Sequence, residues 1–202
     1  MKKVISLCCL LFLTLGTNLF ANSYDFSVSM GVPLEKIDYK INSKRSMDST
    51  TDFVPFMLTN YNMFGETQGF GFFESLSVLS HDYMSIDFLV GPAYFAKLSD
   101  NFTVQTGLGF HMATKSHSSY KKISEDESLY YDTTDFLLGV GLDLRFKFIS
   151  HRRCTPILGL RFVLDPYCGQ SIVYEDGTDE VTDYQKFLKF SFMPSLGFCM
   201  NF

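Results

Sequence analysis

The sequence has no tryptophan among its 202 residues, only five cysteines, and fewer basic than acidic side chains. Three of the cysteines, Cys154, Cys168 and Cys199, lie beyond the amino-terminal segment and form no Cys-x-x-Cys pair. Neither a zinc site nor a dense disulfide framework is indicated, and we expect no cofactor. The net charge of −5 argues against nucleic acid as a partner, because contact with phosphates needs clustered Lys and Arg.

Long apolar runs are also missing, apart from one at the amino end. Lys2 and Lys3 precede an apolar run over 4–15, and small or polar residues follow up to Ala21. A charged start, a short apolar run and a small-residue exit are typical of a secretory signal peptide. A transmembrane helix would need about 20 apolar residues, and this run is too short.

We therefore predict a cleavable signal peptide over 1–21 and one mature domain over 22–202. An acylated leader cut at Cys8 or Cys9 is the alternative, although it would leave almost no apolar segment upstream of the cut. Loss of the two leader lysines makes the mature chain more acidic, with a net charge of −7.

Segments of about ten residues with apolar side chains at every second position recur along the mature chain, and helical periodicity is absent. A period of two is the pattern of a strand with one apolar face. The predicted strands are 24–32, 52–63, 69–79, 84–96, 102–113, 135–148, 158–164 and 188–202. Their length suits tilted membrane strands, and their even number allows antiparallel closure. The predicted fold is all-β, an eight-stranded antiparallel transmembrane barrel.

The connections between the predicted strands alternate in length. Three are short and three are long, namely 65–68, 97–101 and 149–154 against 33–51, 114–133 and 165–186. Only 81–83 breaks the alternation, by being short. Outer-membrane barrels show this asymmetry, with tight periplasmic turns and long outer loops.

The second face of the strands decides between a soluble and a membrane barrel. A soluble barrel would place many charges on its solvated exterior, whereas this face carries Gly, Ser and Ala with few, balanced charges. Those charges are predicted to form a lumen network: Asp25, Asp87, Asp135, Asp143, Arg145, Lys147, Arg161 and Lys189. Glu74 does not fit, since its number places it on the apolar face. We expect a bulge in the third strand or a position near the membrane interface to accommodate it.

The final strand closes on an aromatic residue, with apolar residues at alternate positions: Leu196, Phe198, Met200 and Phe202. Together with the leader and eight amphipathic strands, it resembles the small outer-membrane β-barrel proteins of the OmpA, OmpX and OmpW type, across the whole mature length. The resemblance implies a bacterial outer membrane, contact with its lipid, and recognition of the terminal strand by the barrel assembly machinery. Without tryptophan, an interfacial girdle must come from Tyr and Phe.

Function is left open by these features. We expect a non-enzymatic barrel with a closed polar lumen, whose outer loops serve membrane integrity or bind an extracellular ligand. The alternative, implied by the OmpW-type resemblance, is a conduit for small hydrophobic molecules, lined in part by Leu89, Leu137, Val163 and Met193. A third hypothesis is a lipid hydrolase.

The hydrolase hypothesis depends on one polar loop. His117 precedes Ser118 and Ser119, with Glu125 and Asp126 nearby, so an oriented Ser–His pair is chemically conceivable. Chance neighbours in a polar loop are the simpler interpretation.

Three other features have simple interpretations. We interpret His111 as a hydrogen-bonding lumen residue, and the acidic segment 165–186 as a solvated loop rather than a metal site, with a hairpin tip at Asp176–Gly177. Cys154 and Cys199 are expected to be free thiols because they lie on opposite faces.

Overall fold

The computed structural model describes residues 23–32, 34–41, 44–51, 54–80, 84–122, 128–149, 152–174, 179–180 and 188–201. These residues form a single sheet of antiparallel strands. The strands are β1 (Ser23–Gly31), β2 (Leu34–Ile41), β3 (Lys44–Thr51), β4 (Val54–Met63), β5 (Gln68–Ser80), β6 (Met84–Ser99), β7 (Phe102–Lys122), β8 (Ser128–Phe148), β9 (Cys154–Tyr174), β10 (Asp179–Glu180) and β11 (Leu188–Asn201). In these ranges no helix has the length and apolar character to cross a membrane.

Eight of these strands close into a barrel. β1 pairs with β4 on one side and with β11 on the other, and β11 pairs in turn with β9. The ring therefore runs β1–β4–β5–β6–β7–β8–β9–β11 and back to β1. This confirms the predicted eight-stranded antiparallel barrel.

The predicted apolar face lies on the outside. Large apolar side chains at even positions are exposed on strands around the ring, with Phe70 72% and Leu196 69% accessible. Phe198 and Met200 continue this face along β11, whereas Phe202 lies outside the described residues. An exterior of this kind suits hydrocarbon and not water.

The predicted long loops are wrong in large part, because the strands continue through them. Segment 33–51 contains β2 and β3, which pair with each other, and β2 also pairs with the start of β11. β7, β8 and β9 are each 21 residues long. Above a membrane the outer face need not be apolar, so the period-two signal disappears while backbone pairing continues.

The acidic segment 165–186 also departs from the prediction. β9 extends to Tyr174, and Asp179 and Glu180 pair back onto Val173 and Ile172. The antiparallel pairing of β10 with β9 agrees with the expected hairpin, although the turn residues between them lie outside the described part of the chain.

Tight turns join the strands at one end of the barrel, which we call the short-turn end. The opposite end, which contains 116–122 of β7, 128–134 of β8 and 170–174 of β9, is the long-strand end. At the short-turn end Gly65 adopts φ 124°, and a Cβ on it would collide with the Gln68 carbonyl oxygen, so this turn requires glycine. Neighbouring turns are hydrogen-bonded: Lys97 N–H donates to Thr67 O and Ile149 N–H to Asn101 O. The turns therefore stabilise one another.

The expected bulge at Glu74 is absent. Glu74 pairs with Asn60 of β4 and Val90 of β6, and the register runs without a shift on both sides of β5. Glu74 consequently stays on the outward face, where its even number places it.

A closed barrel of this kind should resist SDS until it is heated. We expect the membrane-extracted protein to migrate faster on a gel when unheated than after boiling, because the closed ladder keeps the chain compact. Identical migration before and after boiling would contradict closure.

Candidate functional site in the barrel lumen

Asp143 lies at the centre of a charged network inside the barrel. It is buried on β8, where its Oδ1 accepts a hydrogen bond from the Tyr61 hydroxyl at 2.8 Å. The same carboxylate pairs with Arg145 Nε at 2.8 Å and with Arg161 Nε at 3.2 Å. One carboxylate therefore joins β4, β8 and β9.

Arg161 extends the network across the lumen. Its guanidinium donates to Ser77 Oγ at 2.9 Å, lies 3.4 Å from Asp87 Oδ1, and contacts Ser75 Oγ. Arg161 is 2% exposed and stands on β9, whereas its partners stand on β5 and β6. A guanidinium suits this task because it carries five fixed donors.

His111 lies between two carboxylates nearer the long-strand end. Its Nε2 is 2.7 Å from Asp87 Oδ2, and its Nδ1 is 2.6 Å from Asp165 Oδ1. Ionised carboxylates only accept hydrogen bonds, so this geometry suits a doubly protonated, positively charged imidazole. Lys189 is also buried and lies in register opposite Asp165.

A second charged group lies near the short-turn end. Lys147 Nζ is 2.6 Å from Asp25 Oδ2, and the Gln105 amide donates to the same oxygen. Arg145 also contacts Ser27 Oγ on β1. These contacts tie β1 to β7 and β8 across the interior.

An apolar cluster fills the space beside the charges. It contains Tyr61, Met63, Phe73, Leu89, Ala93 and Phe95, all buried. Phe73 stacks on Tyr61 with ring centroids 5.4 Å apart, and a Cβ on Gly107 would collide with the Phe73 ring. Glycine on β7 therefore makes the room that the phenylalanine ring occupies.

The four apolar residues expected to line a conduit are all buried, at 5% exposure or less: Leu89, Leu137, Val163 and Met193. Leu89 belongs to the apolar cluster, Leu137 packs with Ala113, and Met193 packs with Met57. At least three of them therefore contact other inward side chains.

The structure brings most of the predicted charges together. Six take part in the contacts given above: Asp25, Asp87, Asp143, Arg145, Lys147 and Arg161. Asp135 is half-buried and lies in register opposite Lys115, nearer the long-strand end. Asp135 and Lys189 share the inward phase of the other six charges.

Asp165, Tyr61 and Gln105 also belong to the network, although the sequence pattern did not single them out. Asp165 was assigned to a loop, yet it continues the odd-numbered phase of Arg161 and Val163 along β9. Tyr61 and Gln105 also have odd numbers within predicted strands. Extending each strand phase beyond its apolar stretch would have identified Asp165.

The remaining candidates are only partly described. His117, Ser118 and Ser119 lie on β7 rather than in a loop, whereas Glu125 and Asp126 fall outside the described residues. Within the described ranges, no three His, Cys, Asp or Glu side chains are grouped to hold a metal ion. Cys154 and Cys199 are free thiols, exposed and buried respectively, as expected.

An apolar exterior, a charge-paired interior and a closed ring of eight strands define the fold class of this chain. It has the fold of the small bacterial outer-membrane β-barrel proteins, as the resemblance implied. The sequence itself matches no protein-family model and no curated protein.

Solved structures with this fold include three outer-membrane proteins. The outer membrane protein OprG from Pseudomonas aeruginosa is 14% identical, with a TM-score of 0.51 over 90% of this chain and 96% of that one. A major outer membrane protein from Thermus thermophilus is 11% identical, with a TM-score of 0.51 over 89% and 99%. The outer membrane protease OmpT from Escherichia coli is 8% identical, with a TM-score of 0.50 over 89% and 96%. Such low identities show the fold alone.

Neutralising the central carboxylate should strongly destabilise the barrel. We expect Asp143→Asn to lower the free energy of unfolding by about 3–5 kcal/mol, because two buried guanidinium groups lose their shared counter-charge. Urea unfolding in lipid vesicles, followed by circular dichroism, measures the change.

A matched control is Asp100→Asn. Asp100 pairs with Lys97 at 3.1 Å, but its side chain is 91% exposed. Water already solvates that carboxylate, so the variant should unfold as the wild type does. Equal effects of the two substitutions would show that the lumen network does not stabilise the barrel.

Proposed function

We propose that this protein is a non-enzymatic outer-membrane barrel with a closed lumen, which presents the long-strand end as an interaction surface. The observation that carries the proposal is the filled interior. Charged pairs and the apolar cluster occupy the space between opposite strands, and their side chains are buried.

The lumen contacts run from wall to wall. Arg161 reaches from β9 to β5 and β6, while Lys147 reaches from β8 to β1. Eight strands enclose an interior that is only wide enough for side chains. Cross-lumen ion pairs in that space obstruct a solute path through the described part of the lumen, which favours a closed barrel over a hydrophobic conduit.

The length of the strands supports the interaction surface. A strand of 21 residues is about 69 Å long at about 3.3 Å per residue, whereas a tilted strand crosses the apolar layer with about 10 residues. About half of each of β7, β8 and β9 therefore extends beyond the membrane. Such extended strands offer backbone groups and side chains to an extracellular ligand.

The proposal includes where the protein is located and how it is exported. The fold and its neighbours support a bacterial outer membrane. The segment 1–21 would direct export, and the terminal strand with Leu196, Phe198 and Met200 would be read by the barrel assembly machinery. Both steps rest on the sequence patterns, since neither is a property of the folded barrel.

Enzyme activity is not decided by the fold, because the OmpT structure is that of a protease. The non-enzymatic proposal rests on chemistry. His111, a buried histidine on β7, has its two ring nitrogens held by Asp165 and Asp87, so neither nitrogen is free to activate a serine, threonine or cysteine nucleophile.

Vesicle reconstitution tests the closed lumen. We expect no ion conductance and no hydrophobic-solute uptake above empty vesicles, with gramicidin as the positive control for conductance. Lipid cleavage should also be absent. Conductance or uptake would instead support the conduit, and cleavage lost in His117→Ala would support the hydrolase.

A variant with shortened strands tests the proposed interaction surface. Replacing 119–131 with Asn-Gly should shorten β7 and β8 while keeping their register, since this pair favours a two-residue hairpin turn. Adhesion of the vesicles to cells or matrix should fall, with heat-dependent gel migration retained. Adhesion unchanged in this variant would contradict a role for that end of the strands.

A further inference from the structure

The outer face of β4 and β5 carries a polar group in an otherwise apolar surface. Asn60, Asn62 and Glu74 occupy outward, even-numbered positions on these two strands. Asn60 lies opposite both Phe26 and Glu74, and Glu74 lies opposite Val90. The residues next to them in sequence, at odd positions, point into the lumen. These three side chains therefore point away from it.

Glu74 lies deep within the predicted apolar layer. It is six residues beyond Gln68, the first residue of β5, which places it about 15 Å from the strand start at about 3.3 Å per residue and a tilt of about 40°. The outward rings of Phe70 and Tyr94, 5.1 Å apart, mark the interface nearer the turn. An apolar band of about 25 Å puts Glu74 near the middle of the bilayer.

Two side chains of this patch, Asn60 and Glu74, carry hydrogen-bonding atoms without a partner. The side-chain amide nitrogen and oxygen of Asn60 and the Oε2 of Glu74 are buried without a hydrogen bond. Hydrocarbon offers them no donor or acceptor, and a charged carboxylate at this depth is costly. Asn60 is covered by its neighbours, whereas the Glu74 side chain is only half-buried, so a rotation about its terminal bond would present both carboxyl oxygens to a partner outside the barrel.

We propose that this face binds a second copy of the same chain, with the two Glu74 side chains meeting across a twofold axis. A twofold interface brings the same residue of each copy together. A neutral carboxyl group has one donor and one acceptor, so two of them satisfy each other with a pair of hydrogen bonds. A lipid tail lacks such groups. The inference rests on the membrane placement proposed above.

The flanking surface suits close contact between copies. Phe72 is 56% exposed next to Glu74 on β5, and Phe70 is more exposed still. Flat aromatic rings on both sides of the axis would pack against the equivalent rings of the second copy and shield the carboxyl pair from lipid.

Three variants test the pairing in vesicles, by energy transfer between donor- and acceptor-labelled copies. We expect the wild type to dimerise. Glu74→Leu should raise the dissociation constant at least about tenfold, because it removes two hydrogen bonds. Glu74→Gln should dimerise as the wild type does, since a primary amide is also self-complementary. Thr106→Leu, an outward polar position on β7, is the matched control and should change nothing.

The outcomes separate this inference from the proposed function. A folded wild type that stays monomeric, a Glu74→Leu variant that dimerises normally, or a Glu74→Gln variant that behaves as Glu74→Leu would each overturn the carboxyl pairing. All three would leave the closed barrel intact. Failure of the wild type to insert or to show heat-dependent migration would instead contradict the membrane barrel itself.

Discussion

Pairing of the first strand with the last is the contact on which the rest of the structure depends. β1 and β11 pair from Asp25 opposite Asn201 to Gly31 opposite Ser195, and this ladder removes the two free edges of the sheet. In hydrocarbon an open edge would leave backbone N–H and C=O groups unsatisfied. Closure therefore allows the outer surface of the barrel to face hydrocarbon, because no backbone edge of the ring is left unpaired. It also encloses the interior.

The width of the interior is set by the number of strands. With eight strands, inward side chains from opposite walls meet, so charges there must pair with one another. The contacts of Asp143 with Tyr61, of Asp87 with Arg161 and of Asp165 with His111 meet that condition and link strands that are not neighbours in the ring. The same contacts that satisfy buried charge also occupy the path a solute would take. Stability and the closed lumen proposed above thus have one physical cause.

The face of each residue could be predicted from the sequence because a strand has a period of two. Leu142 and Asp143, next to each other on β8, lie on the outer and inner faces as their numbers require. The partners across the lumen could not be predicted. They depend on strand tilt and stagger, which place Arg161 beside Asp87 although the two are far apart in sequence.

Strand length was also hidden from the sequence. Ser116 to Lys122 show no alternation of apolar and polar residues, although their backbones stay paired with β8. Glu74 is a different case. Its number predicted its face correctly, and of the two ways expected to accommodate it, a bulge or a position near the interface, the bulge is absent.

The absence of tryptophan allows a direct test of the central claim, that apolar side chains face lipid and charged ones face the interior of the barrel. A single tryptophan at Phe110, Phe146 or Phe198 should be quenched by lipids brominated along their acyl chains, because these positions face outward. A tryptophan at Phe95, which is buried inside, should be quenched neither by those lipids nor by acrylamide. Acrylamide quenching without lipid quenching at the outward positions would contradict the account.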